Sequence, residues 1–123
     1  MPEKPEIDFP EGPPPSSLQI EDITEGDGAE ATAGRTVSVH YVGVAHSSGE
    51  EFDASYNRGE PLAFRLGVGQ VISGWDQGVQ GMKVGGRRQL VIPPDLAYGP
   101  DGSPPTIGPN ETLVFVIDLL SVD

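Results

Sequence analysis

Apolar and polar residues alternate along most of this chain, and the alternation gives way only once to a helical period. Leu18-Gln19-Ile20-Glu21-Asp22-Ile23 reads as a short strand. Thr36-Val37-Ser38-Val39-His40-Tyr41-Val42 puts Val37, Val39 and Tyr41 on one face. Phe52 to Ser55 is extended, and Asn57-Arg58-Gly59 breaks it. Leu62, Phe64 and Leu66 alternate next. Further on, Arg88, Leu90 and Ile92 alternate with Arg87, Gln89 and Val91. Pro93-Pro94 ends that strand, because proline donates no ladder hydrogen bond. Leu96-Ala97-Tyr98-Gly99 then opens a long, proline-spaced loop. The clearest strand runs from Thr112 to Val122: Leu113, Phe115, Ile117 and Leu119 share one face, and Val114, Val116, Asp118 and Leu120 the other.

The exception is Val71 to Met82, which holds the only tryptophan. Ile72, Trp75, Val79 and Met82 recur at helical spacing. Ser73 and Asp76 are a weak helix-start pair, and Gly81 is a plausible stop. So short and glycine-rich a helix does not stand alone in water, so packing must hold it. Several short strands with one short helix predict an α+β domain, an antiparallel sheet with the helix against one face.

With 123 residues, the chain is expected to form one domain. Residues 1–16 are acidic and proline-rich, including Phe9-Pro10-Glu11-Gly12-Pro13-Pro14-Pro15, and read as a flexible, solvated leader before a folded domain at 17–123. The net charge of −12 argues against binding nucleic acid or an anionic membrane through a general basic surface. No apolar run is long enough to span a membrane, and the first residues lack the basic-then-apolar order of a signal peptide. A cytoplasmic protein is therefore expected. Without cysteine there is no disulfide framework, thiolate metal site or cysteine nucleophile.

Candidate chemistry narrows by elimination. Gly67-Val68-Gly69 lacks the third glycine of a dinucleotide fingerprint, and no Lys-Ser/Thr pair follows a glycine cluster. His40 lies mid-strand and His46 beside a turn, and no serine occupies a nucleophile elbow. Neither a covalent nor a metal mechanism has support. What remains is a set of aromatic and aliphatic residues that suits binding, or catalysis by environment. On pattern alone, such a group of rings is more often plain core than a ligand pocket.

Five segments in order change that balance: Val39-His40-Tyr41-Val42-Gly43, Phe52-Asp53-Ala54-Ser55, Val71 to Val79, Leu96-Ala97-Tyr98-Gly99 and Thr112-Leu113-Val114-Phe115. Together they resemble the FKBP-type peptidyl-prolyl cis-trans isomerases, in the small single-domain form, over roughly residues 18 to 122. The resemblance implies a curved antiparallel sheet wrapped around one short helix. It implies a folding helper that isomerises X–Pro bonds of proline-containing polypeptides, needs no cofactor or metal, works as a monomer, and binds macrolides such as tacrolimus and rapamycin. Asp53 and Tyr98 would be the catalytic pair. Trp75 would form the floor under the substrate proline, and Tyr41, Phe52, Phe64, Val71, Ile72 and Phe115 the walls. Ile107 would stand with Tyr98 on the flap side, Arg58 would partner Asp53, and Leu62 and Gln70 would contact substrate. Leu62, Gln70, Ser103 and Thr106 depart from the commonest family residues, which bears on sequence preference and macrolide affinity. A proline-peptide or macrolide-binding module with incidental catalysis, and a structural interaction domain, are the alternatives.

Overall fold

The computed structural model describes residues 4–7, 12–103 and 107–123. Six strands follow the alternating stretches: β1 (Gln19–Thr24), β2 (Thr36–Ala45), β3 (Glu51–Ala54), β4 (Leu62–Arg65), β5 (Arg87–Ile92) and β6 (Leu113–Val122). They pair antiparallel in the order β1-β5-β6-β2-β3. The free edge of β2 is shared, with β4 on residues 36–39 and β3 on residues 42–44. This is the expected curved sheet of the FKBP-like α+β class, but two short helices accompany it rather than one: α1 (Ser55–Arg58) and α2 (Ser73–Gly78).

The period of two decides which face each strand residue joins. Val37, Val39 and Tyr41 of β2, Leu90 and Ile92 of β5, and Leu113, Phe115, Ile117 and Leu119 of β6 form the inner core with Trp75, Val79 and Met82. His40, Val42 and Val44 of β2 and Val114, Val116 and Asp118 of β6 are buried on the outer face.

α2 has so many glycines because of where it lies. A Cβ on Gly74 would come within 2.5 Å of Ile92, and one on Gly78 within 2.7 Å of Leu90. These two positions, one turn apart, let the helix backbone settle directly onto β5. The expected Ser73–Asp76 capping pair does not form, because the N-cap is Ile72 and Ser73 already lies inside the helix. At the other end the Arg88 guanidinium donates to the carbonyls of Gly78 (2.8 Å) and Gln80 (3.0 Å). That places a cation where the helix dipole is negative. The helix ends at Gly78, three residues before the expected stop. The apolar face nevertheless continues through the turn, with Val79 and Met82 buried.

Ser55 was expected to be extended, yet it begins α1. Its hydroxyl accepts the Tyr41 backbone N–H at 2.7 Å and lies 2.8 Å from His40 Nδ1. A side chain thus takes the place of the next ladder bond, and the backbone is free to turn. Gly59, at φ 72°, closes the helix.

In the leader, Lys4 pairs with Glu51 at 2.8 Å and donates to Asn57 at 3.0 Å. Pro5 and Ile7 are half-buried and share a groove with Val42 and Val44 on the outer face. Phe9, Pro10 and Glu11 lie outside the described residues. Among the described residues no helix is long and apolar enough to cross a membrane.

Candidate functional site

Five elements bring five aromatic rings together on the inner face. Trp75, in the first turn of α2, meets Tyr41 of β2 edge-on at 4.9 Å and Phe115 of β6 edge-on at 5.2 Å. Phe64 of β4 tilts against its other side at 5.6 Å. Phe52 of β3 meets Phe115 edge-on at 5.5 Å. Edge-to-face contacts suit the ring quadrupoles and lock each ring against the next. They leave a cavity of about 420 Å³ above the indole, lined by Tyr41, Phe52, Asp53, Leu62, Gln70, Val71, Ile72, Trp75, Tyr98 and Phe115. That volume suits a small ligand, and the lining is mostly apolar with a few polar groups. The indole N–H is buried and has no acceptor among the described residues.

The polar groups gather at the rim. The Tyr41 hydroxyl donates to Asp53 at 2.6 Å and accepts from Arg58 at 2.8 Å, and Arg58 donates to Asp53 at 2.7 Å. Asp53 is the last residue but one of β3 and Arg58 ends α1, so the turn at Ser55 is what folds them onto each other. Burial raises the Tyr41 pKa, and the hydrogen bond to Asp53 raises it further. Tyr98 stands on the loop after β5, exposed over 42% of its surface, with no hydrogen-bond partner among the described residues. Its pKa is also raised, first by burial and then by the charge of Asp53. Both phenols therefore stay protonated well above neutral pH, and the Tyr98 hydroxyl is an uncommitted donor beside the cavity.

Three of the residues expected at the site do not line the cavity. Phe64 is buried behind Trp75 and supports it. Arg58 stands at the rim and reaches the cavity only through Asp53 and Tyr41. Ile107 is buried in the core, its backbone paired with Ser103 in both directions. Thr106 lies outside the described residues. Sequence reasoning missed Ser55 and Asp76 as supports of the site. Ser55 and His40 hold the backbone behind Tyr41, and the Asp76 carboxylate holds Gly67 and Gly69. An acid placed just after a glycine-rich turn was the one available signal for Asp76.

A larger hollow, about 760 Å³, lies between the leader and the outer face, among Gln19, Glu21, His46, Arg87 and Gln89. Pro5, Ile7, Pro13, Pro15, Ile23, Val91, Val114 and Val116 add apolar walls, but among the described residues no ring of Phe, Tyr or Trp lines it.

Comparison with known proteins points the same way. The profile described as FKBP-type peptidyl-prolyl cis-trans isomerase matches residues 28–120. The chain is 70% identical to an FK506-binding protein of Streptomyces anulatus over 121 residues, 98% of each chain. It is 56% identical to a probable FK506-binding protein of Corynebacterium glutamicum, over 97% of this chain and 98% of that one. The crystal structure of AtFKBP13 superposes with a TM-score of 0.80 at 45% identity, covering 89% of this chain and 96% of that one. The sheet wrapped on α2, the aromatic cavity and these likenesses agree: the chain belongs to the FKBP-type peptidyl-prolyl cis-trans isomerases.

Proposed function

We propose that the chain turns X–Pro bonds in the cavity above Trp75, as a monomeric folding helper in the cytoplasm, and that FK506-type macrolides compete for the same space. The observation that carries this reading is an aromatic floor with one uncommitted hydroxyl, Tyr98, and one carboxylate, Asp53, on its rim.

Rotation about the bond needs no nucleophile and no net proton transfer. The barrier, about 18–20 kcal/mol, comes from amide resonance. Resonance puts negative charge on oxygen and positive charge on nitrogen, so the planar amide is more polar than the twisted one. A proline ring over Trp75, walled by Phe52, Tyr41 and Phe115, leaves water behind. The planar form loses more solvation than the twisted form, and the barrier falls. The Tyr98 hydroxyl, held protonated, donates to the substrate carbonyl. Asp53, held by Tyr41 and Arg58, faces the rotating carbonyl with its negative charge. Leu62, Gln70, Val71 and Ile72 contact the residues beside the proline. An acceleration of about a millionfold asks roughly 8 kcal/mol of this environment, more than any one of these groups supplies.

Trp75 is the only tryptophan and reports directly. Tacrolimus or a proline peptide should change its emission and saturate at one site. Macrolide should inhibit isomerisation of a proline tetrapeptide, and EDTA should not. Trp75→Leu, which keeps an apolar floor, should fold with weakened binding and activity. Saturating ligand with unchanged emission, together with wild-type activity in Trp75→Leu, would place the site elsewhere.

A further inference from the structure

The wall formed by Gln70, Val71 and Ile72 belongs to the loop between β4 and α2, where Leu66 is buried and Val71 and Ile72 are partly buried against the core. It leaves β4 at Arg65 and enters α2 at Ser73, and residues 67–70 are exposed. Gly67 and Gly69 both sit at φ 81°, a left-handed conformation that costs a glycine little and points their N–H groups off the strand path. Those two N–H groups converge on one side chain. Asp76 Oδ1 accepts from Gly67 at 2.8 Å, and Oδ2 accepts from Gly69 at 2.9 Å. Hydrogen bonds to an ionised acceptor are about twice as strong as neutral ones.

Asp76 lies in the first turn of α2, where an acid ordinarily caps the helix, but α2 has no side-chain cap. Both carboxylate oxygens are spent on the loop instead. The loop is gripped a third time where Gln70 Oε1 accepts the Arg65 N–H at 2.8 Å. Asp76 does not line the cavity; its chain neighbour Trp75 does. One turn of helix thus carries the floor in one residue and the tie to the wall in the next.

We propose that Asp76 is a positioning residue. Its carboxylate bridges the amides of Gly67 and Gly69 and fixes the distance between the Val71–Ile72 wall and the Trp75 floor. This rests on the cavity above Trp75 being the site. A wall contacts ground state and transition state alike, so loosening it raises KM more than it lowers kcat.

The test compares wild type, Asp76→Asn, Asp76→Ala and Trp75→Leu in full-length protein. It reads kcat and KM on a proline tetrapeptide, the melting temperature, and amide hydrogen exchange along the chain. Asn keeps the shape but turns an N–H₂ toward one glycine N–H; Ala removes both acceptors. KM should rise about threefold in Asp76→Asn and about tenfold in Asp76→Ala, with kcat within about threefold. Exchange should quicken at residues 67–72 while β2 and β6 stay protected. A wild-type KM in Asp76→Ala, whatever its melting temperature, would overturn the proposal. So would exchange that quickens over the whole sheet together, since Asp76 would then be only a stabilising residue. A wild-type KM in Trp75→Leu would overturn the cavity reading beneath it. A raised KM there, with a wild-type KM in Asp76→Ala, would overturn the clamp alone.

Discussion

The molecule contains two Tyr–Asp–Arg clusters on opposite faces of the same sheet. On the inner side Tyr41, Asp53 and Arg58 stand at the mouth of the aromatic cavity. On the outer side Tyr56 donates to Asp118, which also accepts from Arg87 at 2.7 and 3.2 Å. α1 supplies a member to each, Arg58 inward and Tyr56 outward. β2 does the same with neighbouring residues: Tyr41 belongs to the inner cluster, and His40 stacks on Tyr56 at 4.4 Å. The residue types are identical, so residue chemistry alone does not decide what a cluster does. Exposure does. The Asp118 side chain is 7% exposed and held by a two-point guanidinium, whereas Asp53 is 42% exposed and keeps a side free for a ligand. The outer cluster closes a sheet; the inner one opens onto the cavity.

The largest expected effect comes from breaking the sealed cluster. Asp118→Asn leaves Arg87 and Tyr56 facing a neutral amide in a mostly buried place. Removing one partner of a buried pair typically costs 3–5 kcal/mol. Arg87 is 25% exposed, so about 3 kcal/mol is expected. The denaturant midpoint should fall accordingly, while kcat/KM per folded molecule stays near wild type. A loss of activity larger than the folded fraction explains would erase the distinction between the clusters.

Asp53→Asn should do the reverse. The rim pair is half exposed and worth little to stability, about 0–1 kcal/mol. Activity should fall roughly tenfold, equivalent to about 1.4 kcal/mol of barrier. Unfolding and a tetrapeptide assay on one preparation check both halves. A stability loss without an activity loss would make Asp53 a second Asp118.

The inner cluster was legible through the family resemblance, which implies Tyr41, Asp53 and Arg58 as partners and says nothing of the outer cluster. Tyr56, Arg87 and Asp118 come from three distant elements, and only the β2–β6 and β5–β6 registers, His40 opposite Asp118 and Arg87 opposite Asp118, bring them together. The strands were legible because each keeps one buried face. α1 was not, since four residues leave no room for a helical period and its cause, Ser55 bonding to Tyr41, is a tertiary contact. Ile107, which the resemblance puts on the flap side, has its side chain buried.

Titration separates the clusters more gently. Burial and then the Asp118 bond raise the Tyr56 pKa strongly, and Tyr41 and Tyr98 are raised as well. In the unfolded chain a tyrosine ionises near pH 10. Above that pH the folded state holds more protons than the unfolded one, so stability is full below about pH 10 and falls as pH rises. Each fully coupled tyrosine contributes at most about 1.4 kcal/mol per pH unit, and partly exposed Tyr98 much less. Absorbance at the phenolate band should show delayed ionisation in folded protein, with Tyr56 last. Phe substitution of Tyr56 should remove the latest step. If the latest step survives in Tyr56→Phe, the outer cluster is not the sealed one.

The smallest effect lies at the corner both clusters share. Lys4 of the leader pairs with Glu51 and also donates to Asn57, while Asn57 donates back to Glu51 at 2.9 Å. This ring of three ties the leader to β3 through Glu51 and to α1 through Asn57. The hydrogen bond from Lys4 is the main reason the Glu51 pKa is lowered. A lowered carboxylate pKa gives stability that is present above the unfolded value and is lost as pH falls through the folded value. Lys4→Ala should therefore lower the melting temperature slightly at pH 6, with the gap to wild type closing as the pH falls below about 4. Both partners are solvent-exposed, so less than about 0.5 kcal/mol is expected, shrinking further in high salt. A gap that persists at pH 3 would mean that the leader holds the corner by packing Pro5 and Ile7 on Val42 and Val44 rather than by charge. Deleting residues 1–16 should then destabilise the domain more than Lys4→Ala does. Equal effects from the two changes would assign the leader's whole contribution to its one cation.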